Sequence, residues 1–137
     1  MNISKVKIIE DVTFRVWGEE LIPEIITSAL GISPTKSQVK GEKIMSKNGR
    51  FRYSKIGMWV LKANEFDGGT IEEKIWNLVK HLKKANKRLI ECKGVEGMVI
   101  NIFVGVEEGE DSIECQFSPM LLGELGTLDI ELSLTVL

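Results

Sequence analysis

Residues 12–17 read Val-Thr-Phe-Arg-Val-Trp. Val12, Phe14 and Val16 alternate with Thr13, Arg15 and Trp17, and that period of two is the mark of a strand, whose successive side chains point to opposite faces. One face is wholly apolar and must be covered. The other carries a guanidinium and an indole. The same alternation returns at Met98, Ile100, Ile102, Val104 and Val106, and again at Ile130, Leu132, Leu134 and Val136. A shorter run, Ile113, Cys115 and Phe117, comes after the link Glu107-Glu108-Gly109-Glu110-Asp111, so an antiparallel hairpin is expected there.

Helical signals separate these strands. Pro23 suits a first turn, where its missing N–H costs nothing. Gly31 accepts the left-handed conformation that stops a helix, so a helix is expected over Pro23–Leu30. Thr70 and Glu73 have the spacing of a capping box. Behind them Ile71, Ile75, Leu78, Val79, Leu82 and Leu89 recur at helical spacing, predicting a long amphipathic helix that breaks near Asn86 and resumes to Cys92. Ser118 before Pro119 reads as an N-cap for a short helix, Met120–Leu125. Between the first two helices lies a basic stretch, residues 35–55. Its Asn48-Gly49 predicts a two-residue hairpin turn with arms Ile44–Lys47 and Arg50–Ser54, and then a strand over Met58–Ala63.

Strands with one apolar face, interrupted by helices, define an α+β domain: an antiparallel or mixed sheet with helices on one face. The order strand-helix-strand-strand-helix-strand is that of a ferredoxin-like unit, here with strands and a short helix appended. The 137 residues suit one domain spanning 1–137. The N-terminal residues have no uninterrupted apolar run of the signal-peptide kind, and no stretch is long enough for a membrane helix. Cys92 and Cys115 are read as buried reduced thiols, and a cytoplasmic location is expected.

Charge is unevenly placed. Residues 1–93 hold all 18 Lys and Arg against 11 acids; residues 94–137 hold nine acids and no base. Compensation between neighbouring strands of the two halves accounts for this; a surface for a partner is the alternative.

Leu30-Gly31-Ile32-x-Pro34, then Lys40-Gly41, then Trp59 on a strand ahead of a long helix, and finally Ser118-Pro119-x-Leu121, Leu125-Gly126 and Asp129-Ile130, occur in an order that resembles a bacterial family described only as domain of unknown function 4279. The resemblance runs from about Thr13 onward. It implies a fold and no activity, so it transfers no functional residue. The lysine-rich long helix departs from the family's pattern.

No motif for catalysis, cofactor or metal is evident. His81 is the only histidine and has no nucleophile motif around it. The glycines form neither a dinucleotide fingerprint nor a P-loop, and the acidic 107–111 link lacks calcium-loop spacing. The candidate surface is instead the non-apolar sheet face with the basic hairpin: Arg15, Trp17, Arg50, Arg52 and Phe103. Aromatic and Arg side chains dominate protein-binding hot spots, so a protein partner is expected, with a toxin-neutralising (immunity-type) role as one concrete form. Single-stranded nucleic acid is the alternative, ranked lower because the acidic C-terminal strands would repel phosphate. A carboxylate-only enzyme drawing on Glu19, Glu20, Glu107 or Glu114 ranks last. Unpaired edge strands also offer a route to a homodimer.

Overall fold

A computed structural model describes residues 7–63, 69–107 and 115–136. In chain order it contains β1 (Lys7–Gly18), α1 (Pro23–Leu30), β2 (Lys36–Gln38), β3 (Lys43–Met45), β4 (Phe51–Tyr53), β5 (Gly57–Lys62), α2 (Ile71–Leu82), a 3-10 turn (Leu89–Glu91), β6 (Gly97–Glu107), α3 (Pro119–Thr127) and β7 (Glu131–Val136). The main sheet has the order β2-β5-β1-β6-β7, and β3 and β4 form a separate two-stranded ribbon.

β1 is antiparallel to both of its neighbours, β5 and β6, and β2 is antiparallel to β5. β1 and β2 therefore run parallel, joined through α1, with β5 between them. β5 and β6 also run parallel, joined through α2, with β1 between them. These two interlocked βαβ units make the split βαβ, ferredoxin-like arrangement. The β3–β4 ribbon is inserted between the second and third strands of that unit. β7 is added beside β6 in parallel register, reached through α3.

All three helices lie on the apolar side. Phe14 pairs with Leu61 and Ile100, and Val16 with Trp59 and Met98. These residues share one core with Ile26 and Leu30 of α1, Ile75, Leu78 and Val79 of α2, and Leu121 and Leu125 of α3. Trp59 is fully buried, packed edge-on to Phe14 at 6.2 Å, with its Nε1 donating to Thr27 Oγ1 at 3.0 Å. A buried indole needs such a partner. The Thr70 hydroxyl accepts from the Glu73 N–H, and the Ser118 hydroxyl from the Leu121 N–H, so both predicted N-caps form.

Several expectations need correction. The hairpin loop has three residues between its pairing ends: Ser46 N–H donates to the Arg50 carbonyl, Gly49 N–H to the Ser46 carbonyl, and only Gly49 takes positive φ (82°). Asn48 instead keeps negative φ and accepts the Arg50 N–H on its side-chain oxygen. The long helix ends at Leu82 and does not resume as α-helix before Cys92, because the chain turns out at Lys83–Ala85 and the Asn86 N–H is captured by the Ala29 carbonyl at the end of α1. Cys115 and Phe117 are not in a strand, since β1 and β7 already occupy the two edges of β6; Ile113 and the 108–111 part of the acidic link lie outside the described residues. β2 is a strand of polar residues with no alternation to signal it. Cys92 is buried and Cys115 half-buried, and both are free thiols.

One end of the sheet is closed by backbone touching backbone. Gly18 and Gly57 face each other across β1 and β5. A Cβ on Gly57 would stand 2.2 Å from the Leu21 carbonyl oxygen, and one on Gly18 would stand 1.8 Å from that of Gly94. Only hydrogen fits at either site, so the chain after β1 can fold back and bury Leu21.

This packing predicts opposite outcomes for two alanine substitutions. Gly57→Ala lowers the unfolding free energy by about 1–3 kcal/mol, the usual cost of overpacking. Gly123→Ala, in α3 with nothing within 4 Å of the new methyl, raises it by about 0.5–1 kcal/mol. Urea denaturation of the two variants checks both signs.

Candidate functional site

The pleat that sends Val12, Phe14 and Val16 to the helices sends Asp11, Thr13, Arg15 and Trp17 to the other side. Cross-strand register adds Met58, Val60 and Lys62 from β5, Val99, Asn101 and Phe103 from β6, Glu131, Ser133 and Thr135 from β7, and Lys36 and Gln38 from β2. Among the described residues, no helix contributes a side chain to this face.

Arg15 is its centre. It sits between Val60 and Val99, both buried, and its guanidinium donates to the Asn101 side-chain oxygen. Two concavities meet at Arg15. The larger, about 740 Å³, is lined by Arg15, Lys36, Gln38, Arg52, Tyr53, Lys55, Ile56 and Val60. The base of the β3–β4 ribbon forms its outer wall, tied down where the Gln38 amide donates to Ser54 Oγ at 2.6 Å and Ser54 Oγ to the Ile56 carbonyl at 2.6 Å. The smaller, about 380 Å³, is lined by Arg15, Trp17, Met58, Val99, Asn101, Glu131 and Ser133.

Trp17 is 38% exposed. Its ring lies against Gly97, where an added Cβ would approach Cζ2 to 2.5 Å. The absence of a side chain at Gly97 lets a large exposed indole lie flat on the sheet, an aromatic covering a bare strand position.

The structure brings three of the five expected residues together: Arg15 and Arg52 line the larger hollow, Arg15 and Trp17 the smaller. Arg50 is exposed at the ribbon's turn and lines neither. Phe103 is on the predicted face, half-buried opposite Asp11. It lies two positions along β6 from Asn101, about 7 Å at the usual strand rise, and lines neither hollow. Sequence reasoning missed Lys36 and Gln38, whose strand has no apolar alternation to reveal it, and Lys55 and Ile56, which come after the ribbon. Beside the larger hollow the ribbon also exposes Met45, Phe51 and Tyr53. Phe51 and Tyr53 meet edge-on at 5.8 Å, and Lys43 Nζ stands 4.2 Å from the Phe51 ring centre.

The cations are not equivalent. Lys40 is already satisfied: its Nζ is 2.6 Å from Glu19 and 3.3 Å from Glu20. Among the described residues, Lys36, Arg52 and Lys55 have no ion-pair partner, and no carboxylate lines the larger hollow. On the smaller side Glu131 enters. The face is thus graded from basic at β2 to acidic at β7. Glu19 and Glu20 serve Lys40, while Glu114 and the Glu107 side chain lie outside the described residues. Among the described residues, no three His, Cys, Asp or Glu side chains are grouped to hold a metal ion, and no helix is long and apolar enough to cross a membrane. His81 is half-buried on α2.

The fold and its graded face define a small split-βαβ domain with one side of its sheet uncovered by helices. The model of the family described as Domain of unknown function (DUF4279) matches residues 4–137, and the chain belongs to that family. No curated protein and no solved structure matches it.

The Lys40 cluster predicts a titration. The hydrogen bond from Lys40, and then its charge, holds the Glu19 carboxyl below its ordinary 4.5, and the two glutamates raise Lys40 above 10.5. A lowered carboxyl pKa means the pairing is complete above the ordinary value and lost as pH falls through the depressed one; the raised amine keeps its side of the pair until pH climbs past its own. Side-chain carbon-13 NMR should show Glu19 titrating below 4.5 and returning to it in Lys40→Ala. Unfolding free energy should barely change, because the pair is exposed and screened.

Proposed function

We propose that this domain is a non-catalytic interaction module that binds one protein partner across the uncovered sheet face, seating an acidic segment of that partner in the hollow beside Arg15. The observation that carries this reading is the larger hollow itself, with four cations around about 740 Å³ and, among the described residues, no carboxylate in its lining. Like charges gathered at one concavity repel, and a complementary partner relieves that repulsion while steering its own approach. Arg15 is additionally fixed by Asn101, so little side-chain freedom remains to be lost on binding. Trp17 next door supplies the broad amphipathic contact typical of binding hot spots.

The charge gradient favours a protein over a nucleic-acid strand. A polyanion leaving the basic hollow past Arg15 would run onto Glu131, whereas a protein can present acid to one side and base to the other. An immunity-type role, in which the domain neutralises a toxin by covering it, is one concrete form of the proposal. The free thiols of Cys92 and Cys115 support a cytosolic setting.

Affinity capture from the source cell with the wild-type domain and with a Trp17→Ala, Arg52→Glu variant tests the reading. A protein retained by the wild type should be recovered at least about tenfold less by the variant, a loss of about 1.4 kcal/mol. Equal recovery would remove this face from consideration. Retention of nucleic acid in its place, with affinity falling steeply as salt rises, would transfer the face to the other reading.

A further inference from the structure

On the helix side, away from the proposed partner face, α2 stops at Leu82, about two turns short of the end of its apolar pattern at Leu89. The chain that leaves it arches over to the 3-10 turn and leaves a cleft of about 310 Å³ against the α3–β7 corner. Its walls are Leu82, Ala85, Leu89, Met98, Leu128 and Ile130; every polar side chain at its mouth is a cation, Lys83, Lys87 or Arg88.

Two ties brace the opposing walls. Lys83 Nζ is 3.1 Å from Glu124 on α3, and Arg88 reaches Asp129 at 2.7 Å and the Thr127 carbonyl at 2.9 Å. The same ties consume two of the three cations. Lys87 has no ion-pair partner among the described residues; Glu24 shares a neighbouring recess with it without forming one. The cleft is therefore a preformed apolar slot with one unspent positive charge at its entrance, at the lower end of the roughly 300–1,000 Å³ usual for small-molecule sites.

We infer that this cleft binds a small amphiphile consisting of a short aliphatic chain with a single carboxylate, the chain lying among Leu82, Leu89, Met98 and Leu128 and the carboxylate meeting Lys87. Apolar walls offer nothing to a sugar, a nucleotide or a polyanion. A hydrocarbon chain gains by leaving water, at about 0.8 kcal/mol per buried methylene. A carboxylate at the mouth stays partly hydrated while it meets the ammonium, whereas an amine head would meet the like charge of Lys87.

Isothermal titration of the full chain with octanoate, octanol and octylamine tests this. One octanoate per chain should bind saturably, at least about fivefold tighter than octylamine. Lys87→Gln should weaken octanoate about fivefold and leave octanol unchanged, and Ala85→Phe, which puts a ring into the slot, should abolish both. Methyl NMR of the wild type, which needs no variant to fold, should place the octanoate-induced shifts at Leu128 and Ile130. No saturable binding, equal affinity for octanoate and octylamine, or shifts centred elsewhere would overturn the inference. Because the cleft shares no residue with the partner face, either result leaves the proposed function untouched.

Discussion

The pleat of β1 is the constraint on which the rest of the molecule depends. A strand paired on both edges has no freedom to rotate its side chains from one face to the other, and a slip of one residue would exchange the two faces completely. With β5 and β6 locked on either side, burying Phe14 and Val16 obliges Arg15 and Trp17 to face away from the helices. The uncovered face is thus a by-product of core formation. Removing Phe14 would disturb the proposed partner surface as surely as removing Arg15.

Charge obeys the same logic at a larger scale. The basic first part and the acidic last part of the chain do meet, yet among the described residues their ion pairs join α2 and the adjoining turn to the α3–β7 corner. Compensation occurs in the helix layer and leaves the sheet face graded. Glu72 adds to the same seam: its carboxylate accepts the Ser118 N–H at 2.8 Å and is held ionised below its ordinary range chiefly by that bond. The start of α3 is anchored to the start of α2, and the end of α3 to the segment around Arg88.

The sequence could be read wherever a residue's partner was the opposite side of its own strand or helix. β1, β6, α1 and both capped N-termini emerge from alternation and from Pro, Gly, Ser and Thr at fixed offsets. It could not be read where distant chain decides. Lys36, Ser37 and Gln38 become a strand because the Thr35 N–H donates to the Val60 carbonyl and the Lys62 N–H to the Thr35 hydroxyl. Ala85 and Leu89 keep helical spacing beyond Leu82, but α1 offers the Asn86 N–H a carbonyl that α2 would otherwise supply. The candidate site divides the same way. Arg15 and Trp17 are visible from their own strand, whereas the neighbours that make a hollow of it, Lys36, Arg52 and Lys55, assemble only once β2 and the ribbon fold against β5.

The added strand β7 has a different standing from the other four. The interlocked pair of βαβ units is already complete at β6, so the last strand is an annex held by one neighbour, the Leu121 and Leu125 anchors and the ties to α2. On its helix-side face Leu134 and Val136, in register with the core residues Ile102 and Val104, are about half or more exposed. A domain assembled in this way has an inner block of two interlocked units and a C-terminal leaf joined to it along one strand edge. Glu131 lies on that leaf, so the acidic end of the graded face belongs to the added strand, while Arg15 and Lys36 on its basic side belong to the inner block.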